Sequence, residues 1–138
     1  MYKTTQDIED DFYKALSQTE LIKSVEGKLY KKGMRPIDSK KEDVTLIVTT
    51  LDSAQYQTGV VTLLIYVNGT DLYQSQTVPD KKRIKTLSRA AVDVLDELKP
   101  IMKDYDGLSF FQAVTNDYDV ETEQYFISAK IMFRYLTT

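Results

Sequence analysis

Every second position from Tyr125 to Tyr135 is apolar. Tyr125, Ile127, Ala129, Ile131, Phe133 and Tyr135 share one face, and Ser128, Lys130 and Arg134 mark the other. A period of two predicts a half-buried β-strand over Gln124–Leu136. Val44 to Leu51 (VTLIVTTL) and Val60 to Val67 (VVTLLIYV) are rich in β-branched residues and predict two more strands. In the second of these, Val61, Leu63, Ile65 and Val67 fall on one face. Leu64 and Tyr66 make the opposite face partly apolar too, as in a strand covered on both sides or one that meets a partner. Gly107 to Val114 (GLSFFQAV) predicts a further strand, with Leu108–Val114 pairing with the last one as a hairpin. Lys28 to Arg35 (KLYKKGMR) predicts a short, basic, irregular strand.

Helical spacing appears in three places. Ile8, Phe12, Ala15 and Leu16 fall on one face of a first helix, with Tyr13 off the stripe. Thr4 or Thr5 caps it, and Thr4 with Asp7 forms a loose capping box. Glu9, Asp10 and Asp11 then suit the positive end of the helix dipole. Leu21, Ile22 and Val25 predict a short second helix ended by Gly27. Pro79 or Asp80 opens the longest helix, which runs to about Lys99. Its stripe is Ile84, Leu87, Ala91, Val94, Leu95 and Leu98. Pro100 limits it, with a last irregular turn through Met102.

Polar runs separate these elements. Pro36 and Asp38–Asp43 read as a loop, and Asp52 to Gly59 as a polar connection. Asn68-Gly69 reads as a turn, Thr70 to Val78 as a polar loop with weak strand character, and Asn116 to Glu123 as an acidic loop. The expected fold is a single α+β domain over residues 1–138. It has one antiparallel or mixed sheet of about four to five strands, with an N-terminal helix and one long helix packed on one face. The core is expected to join Phe12, Leu16, Leu87, Leu95 and Leu98 to Ile127, Ile131 and Phe133. Leu95→Ala is then expected to cost roughly 2–5 kcal/mol.

Composition narrows the chemistry. The 138 residues hold no histidine and no cysteine, which removes the commonest general base near neutral pH, the thiol nucleophile and most zinc sites. A net charge of -3 supplies no global basic field for nucleic acid. Ten tyrosines suit half-buried strand surfaces and interfaces. The first residues, Met1 to Asp7, carry no apolar signal-peptide core, and no run reaches the roughly 18 apolar residues of a membrane span. Asn68-Gly69-Thr70 matches a glycosylation acceptor but reads as a turn.

Candidate sites reduce in the same way. Asp117, Asp119, Glu121 and Glu123 alternate as calcium ligands do, yet the glycine wanted at the sixth position is Thr122, so the segment reads as a solvated loop. No glycine-rich phosphate loop is present. Ser53, Ser88, Ser109 and Ser128 have no histidine to activate them. No Asp or Glu falls inside an apolar strand run, where burial would raise its pKa. Lys130, flanked by apolar residues, reads as an outward-facing strand lysine. Lys81-Lys82-Arg83-Ile84-Lys85 is the strongest basic cluster, without the arginines and interleaved aromatics of a nucleic-acid site. No metal, cofactor, catalytic residue, membrane partner or specific nucleic acid is expected.

The layout resembles the small tail-completion, or tail-terminator, proteins of long-tailed phages and prophages. Such chains run helix, a short segment like Gly27-Lys28-Leu29-Tyr30, a strand hairpin (here Val44–Leu51 and Val60–Val67), a long helix (Asp80–Lys99) and a closing strand pair (Phe126–Leu136). The polar loop Thr70–Val78 is longer than that pattern needs. The resemblance implies a non-enzymatic protein that forms a ring, often a hexamer. The ring caps the tail tube and helps join it to the head, in contact with other tail and neck proteins. It would be found in the cytoplasm of the bacterial host during assembly, then in the virion. Two other classes are an interaction or adaptor domain working as monomer or dimer, and an enzyme using only carboxylates and lysines.

One charge pattern bears on assembly. Lys81, Lys82 and Arg83 crowd the positive end of the long helix, while Asp93, Asp96 and Glu97 lie toward its negative end. Helix stability does not explain this order. Screened surface charges are one reading. The other is that Lys81, Lys82 and Arg83 meet Asp117, Asp119, Glu121 and Glu123 of a neighbouring copy, head to tail.

Overall fold

The structure, a computed structural model, describes residues 2–53, 55–73 and 76–137. Met1, Ala54, Gln74, Ser75 and Thr138 lie outside them. The chain runs α1 (Thr5–Leu16), α2 (Glu20–Ser24), β1 (Leu29–Lys31), β2 (Val44–Ser53), β3 (Tyr56–Val67), β4 (Thr70–Tyr73), β5 (Gln76–Val78), α3 (Lys81–Ile101), β6 (Tyr105–Phe110), β7 (Thr115–Asp119) and β8 (Gln124–Leu136).

The fold is α+β, built on one mixed sheet of six strands rather than four to five. Its order is β1-β2-β3-β8-β6, with β7 also paired to β8. β1 runs parallel to β2, and every other pair is antiparallel. Val61 faces Val48 on one side and Ile131 on the other, so the apolar faces of β2, β3 and β8 fall in register. The three helices bury their stripes on that face. Ile8, Phe12 and Leu16 of α1 and Leu87, Val94 and Leu98 of α3 have no exposed surface, and the Phe133 ring packs tilted against Phe12 at 5.7 Å between ring centres. The capping box at α1 forms: Thr4 Oγ1 accepts from the Asp7 amide at 3.1 Å, and Asp7 accepts from the Thr4 amide at 2.9 Å. Asp80 caps α3, accepting from the Arg83 amide.

Several expected boundaries move, each for a physical reason. The connection expected over Asp52–Gly59 is mostly strand, because pairing of Ser53 with Gln57 carries the β2–β3 ladder almost to its tip. The loop expected over Thr70–Val78 is a second antiparallel hairpin, β4–β5, pairing Thr70 with Val78 and Asp71 with Thr77. The strand expected over Gly107–Val114 starts earlier and stops at Phe110. β8 is longer than β6 (13 residues against 6), and β7 takes up the rest of its edge, replacing part of the expected acidic loop.

Gly27 does not cap α2, which ends at Ser24 with Val25 extended. Its role is close approach: a Cβ there would lie 2.1 Å from Asp43 Oδ1 and 2.6 Å from the Glu42 carbonyl oxygen. Gly59 is similar, since a Cβ would lie 2.3 Å from the Thr49 carbonyl oxygen and 2.6 Å from the Phe133 ring.

Leu95 differs from the expected core. It is half-buried, at the margin of the cluster that Leu87 and Leu98 enter fully. Leu87→Ala is therefore expected to lose about 2–5 kcal/mol, and Leu95→Ala distinctly less. Urea denaturation measures both, and the reverse order would place the wrong face of α3 inward. Gly59→Ala is expected to lose about 1–3 kcal/mol or more, because the obstructing atom is backbone and cannot swing aside.

Candidate interaction surface

The polar residues that matter most lie where the sequence reads as loop. Asp43, at the head of β2, is fully buried, and Glu42 nearly so. Neither was expected inside, because the run from Asp38 to Asp43 is uniformly polar. Asp43 accepts from the Arg35 Nε at 3.0 Å, the Ser39 hydroxyl at 2.6 Å and the Lys28 amide at 2.9 Å. Burial by itself would push this carboxyl up. The three donors outweigh burial and hold it below the usual carboxylate value.

From this point a polar network crosses the end of the sheet. The Arg35 guanidinium carbon sits over the Tyr66 ring, 3.8 Å from its centre, and its Nη2 donates to Gln124 Oε1 at 2.8 Å. Gln124 is buried and donates in turn to Asn68 Oδ1 at 2.8 Å and the Lys41 carbonyl at 3.2 Å. Lys40 donates to the Thr122 carbonyl. Glu42 takes the Arg83 guanidinium, with Nε at 2.9 Å, and the Glu26 amide at 3.0 Å. The start of α3, the base of the β4–β5 hairpin, the turn before β8 and the 36–43 loop are thereby tied into one end of the molecule.

The sequence-predicted interface residues separate on this frame. Arg83 is committed to its own chain: it grips Glu42 and donates to the Ser24 carbonyl at 2.8 Å, and the Glu42 hydrogen bonds raise its pKa. Lys81 and Lys82 are exposed beside it. Asp117 and Asp119 lie on β7, with Asp117 exposed. Glu121 and Glu123 are exposed in the turn that follows. Asp119 Oδ1 accepts from the Glu121 amide at 3.0 Å, and Glu123 turns the chain with φ 56°. The exposed basic and acidic residues thus share the hairpin end rather than opposite ends. Among the described residues, no group of three or more acids forms a metal-binding cluster.

The reversed charge order of α3 also has a local account. Arg83 meets the last carbonyl of α2, and Glu97 Oε1 accepts from the Glu20 amide at its first residue, at 3.0 Å. One arginine and one glutamate of α3 therefore serve the two ends of α2, each complementary in sign.

A second titratable cluster lines a cleft of about 240 Å³ at the other end of the sheet. Asp11 accepts from Lys3 Nζ at 2.7 Å and from the Tyr105 hydroxyl at 2.8 Å. Burial, then the bond to Asp11, pushes the Tyr105 phenol far above its ordinary value. Burial alone would lower Lys3, but Asp11 outweighs it and the ammonium is raised. Both groups keep their protons through the neutral range, so the cluster holds charge and hydrogen bonds rather than passing a proton. Lys130 is half-buried in β8, paired across to Thr62.

Comparison with protein-family models finds no family that matches this chain, and comparison with curated proteins finds no match. No helix among the described residues is long and apolar enough to cross a membrane.

Because the Asp43 pKa is lower in the folded chain, the unfolded state binds the extra proton first as pH falls. The stability Asp43 contributes is complete above the unfolded value near 4 and is lost as pH drops toward the folded value. Urea midpoints measured across this range should fall steeply on the acid side, and less steeply in Asp43→Asn. Equal slopes in the two proteins would mean that Asp43 is not held ionised by its partners.

Proposed function

We propose that this chain is a structural, non-enzymatic assembly protein of a phage or prophage tail or neck. It works as a self-associated ring that caps the tail tube and contacts other tail and neck proteins. Its element order supports the reading: short helices, a strand pair, a long helix and a closing antiparallel strand set resemble the tail-terminator layout.

The observation that carries the assembly part of the reading is the β4–β5 hairpin, an addition to the tail-terminator pattern. It forms a two-stranded sheet of its own, outside the six-stranded sheet. An isolated two-stranded hairpin is marginal in water. Here it springs from the most heavily cross-linked end of the molecule, between the exposed Lys81–Lys82 pair and the turn that carries Glu121 and Glu123. A small arm on a stiff base, flanked by charges of both signs, suits assembly with neighbouring chains.

A two-fold dimer is the second reading. Because the basic and acidic residues share one end, two copies facing each other there could satisfy both patches at once. Light scattering at low and moderate salt separates the two. A ring gives a mass several times that of the chain, a two-fold pair gives twice, and a protein monomeric at every concentration reached overturns both.

The hairpin is tested by deleting Asp71 to Thr77 and joining Thr70 to Val78, which already face each other, through an Asn-Gly turn. The shortened chain is expected to keep its urea midpoint and lose assembly. Assembly at the parent mass would show that the arm takes no part.

A further inference from the structure

The exposed side of α3 continues past its first turn as a basic stripe. Lys82, Lys85, Arg89 and Val92 recur at three- and four-residue spacing, so they share one side of the helix. Lys85, Thr86, Ser88, Arg89 and Val92 line a groove of about 510 Å³, closed on its other side by Val114 from the segment between β6 and β7. Val92 is 38% exposed and Val114 half-buried, which gives the groove an apolar floor under a basic rim. Among the described residues, no salt bridge engages Lys82, Lys85 or Arg89. A polar–apolar groove of this kind favours an occupant with an apolar tip flanked by carboxylates.

The same chain carries that shape. Val120 is 78% exposed, a large apolar residue held out at a turn. Asp119 precedes it, and the exposed carboxylates Glu121 and Glu123 follow. The turn is built rather than slack. The Asp119 side chain braces the Glu121 amide, Lys40 holds the Thr122 carbonyl, and Gln124 locks the strand that leaves it. A preorganised turn loses little freedom on docking.

We propose that the groove between α3 and Val114 receives the acidic turn of a second copy of this chain. Val120 of one copy sits on Val92 and Val114 of the next, and Glu121 and Glu123 face Lys85 and Arg89. The contact rests on the assembly reading above and names its surfaces. It moves the basic partner from Arg83, which is occupied within its own chain, to Lys85 and Arg89. Each copy offers one groove and one turn, at opposite ends of β7, so the contact can pass from copy to copy and close when the rotation allows.

Two charge-reversed proteins test it. One carries Lys85→Glu and Arg89→Glu, and the other Glu121→Lys and Glu123→Lys. All four positions are exposed, so both should fold with the parent's urea midpoint. Each variant alone is expected to associate roughly tenfold to a hundredfold more weakly than the parent by light scattering or sedimentation. Mixed in equal amounts, the two should assemble again, since every groove then finds a turn of opposite sign. Val120→Asp is expected to weaken the parent similarly, through the apolar contact rather than the charges. If the parent assembles and the reversals leave its mass unchanged, or their mixture is not restored, this contact is wrong while self-assembly stands. If the parent stays monomeric at every concentration reached, both the contact and the assembly reading fail.

Discussion

Two adjacent carboxylates, Glu42 and Asp43, are buried at the head of β2, and the hairpin end of the molecule is organised around satisfying them. Taking a carboxylate out of water costs several kcal/mol unless it is paired and hydrogen-bonded. Here each acid has an arginine and a backbone amide: Arg35 and the Lys28 amide for Asp43, Arg83 and the Glu26 amide for Glu42. Those partners come from three parts of the chain: the stretch after α2, the segment at Arg35 and the start of α3. The acids therefore fix where the chain leaving α2, the 36–43 loop and the start of α3 meet. The Glu42 carbonyl also accepts the Gly27 amide at 3.0 Å, and the Asp43 carbonyl accepts the Tyr66 amide at 2.8 Å, so the same two residues set the parallel entry of β1 and anchor the end of β3. The fit leaves no room for a side chain at Gly27.

α2 shows how much of this scaffold is held by side chains rather than by intrinsic propensity. Five residues are too few for a stable helix in water. Leu21 buries its side chain completely, and α3 supplies opposite charges at the two ends. The energy that α3 loses by carrying Arg83 near its own N-terminus and Glu97 near its C-terminus is small, a few tenths of a kcal/mol to about 1 kcal/mol each. Each hydrogen bond to α2 lies at an exposed pair and contributes about 0.5–1.5 kcal/mol, so the two terms are of similar size and the charge order of α3 costs the fold little.

The parts of this fold legible in the sequence are those set by local period. β8 runs over the predicted Gln124–Leu136, and the stripes of α1 and α3 point inward because apolar spacing of two or three to four residues has few other uses. The fate of residues 36–43 was not legible. Asp43 has the local signature of a solvated loop, and it is buried because Arg35, eight residues before it, and the Lys28 amide converge there. All three lie within one stretch of the chain, but no periodic pattern of side chains there signals the convergence. The hairpin β4–β5 showed only as weak strand character, and the short β7 not at all, for a related reason. Their strands form through partners supplied by topology, a facing arm in one case and the unpaired length of β8 in the other. Among the candidate interface residues, Lys81, Lys82, Asp117, Glu121 and Glu123 stood exposed at the surface. Arg83 did not, because its partner Glu42 lies 41 residues away in the chain.

The two kinds of surface at the hairpin end follow from this division. Residues tied by the carboxylate network cannot readily reorient, since moving Arg35 or Arg83 would strand a buried acid at a cost of about 3–5 kcal/mol. They are therefore poor adaptors and good footings. Lys81, Lys82, Lys85 and Arg89, with Glu121 and Glu123, carry no such obligation, and each is worth little on its own in water. Lys81 and Lys82, next to Arg83, and Glu121 and Glu123, next to the bonds of Thr122 and Gln124, are held at fixed spacing by that network. A rigid base lowers the ordering cost of association, so weak, screened contacts can add up across a repeated interface where the same charges on a loose surface would not. In the proposed assembly the buried acids act without touching a partner, by fixing the geometry in which the exposed charges beside them are presented.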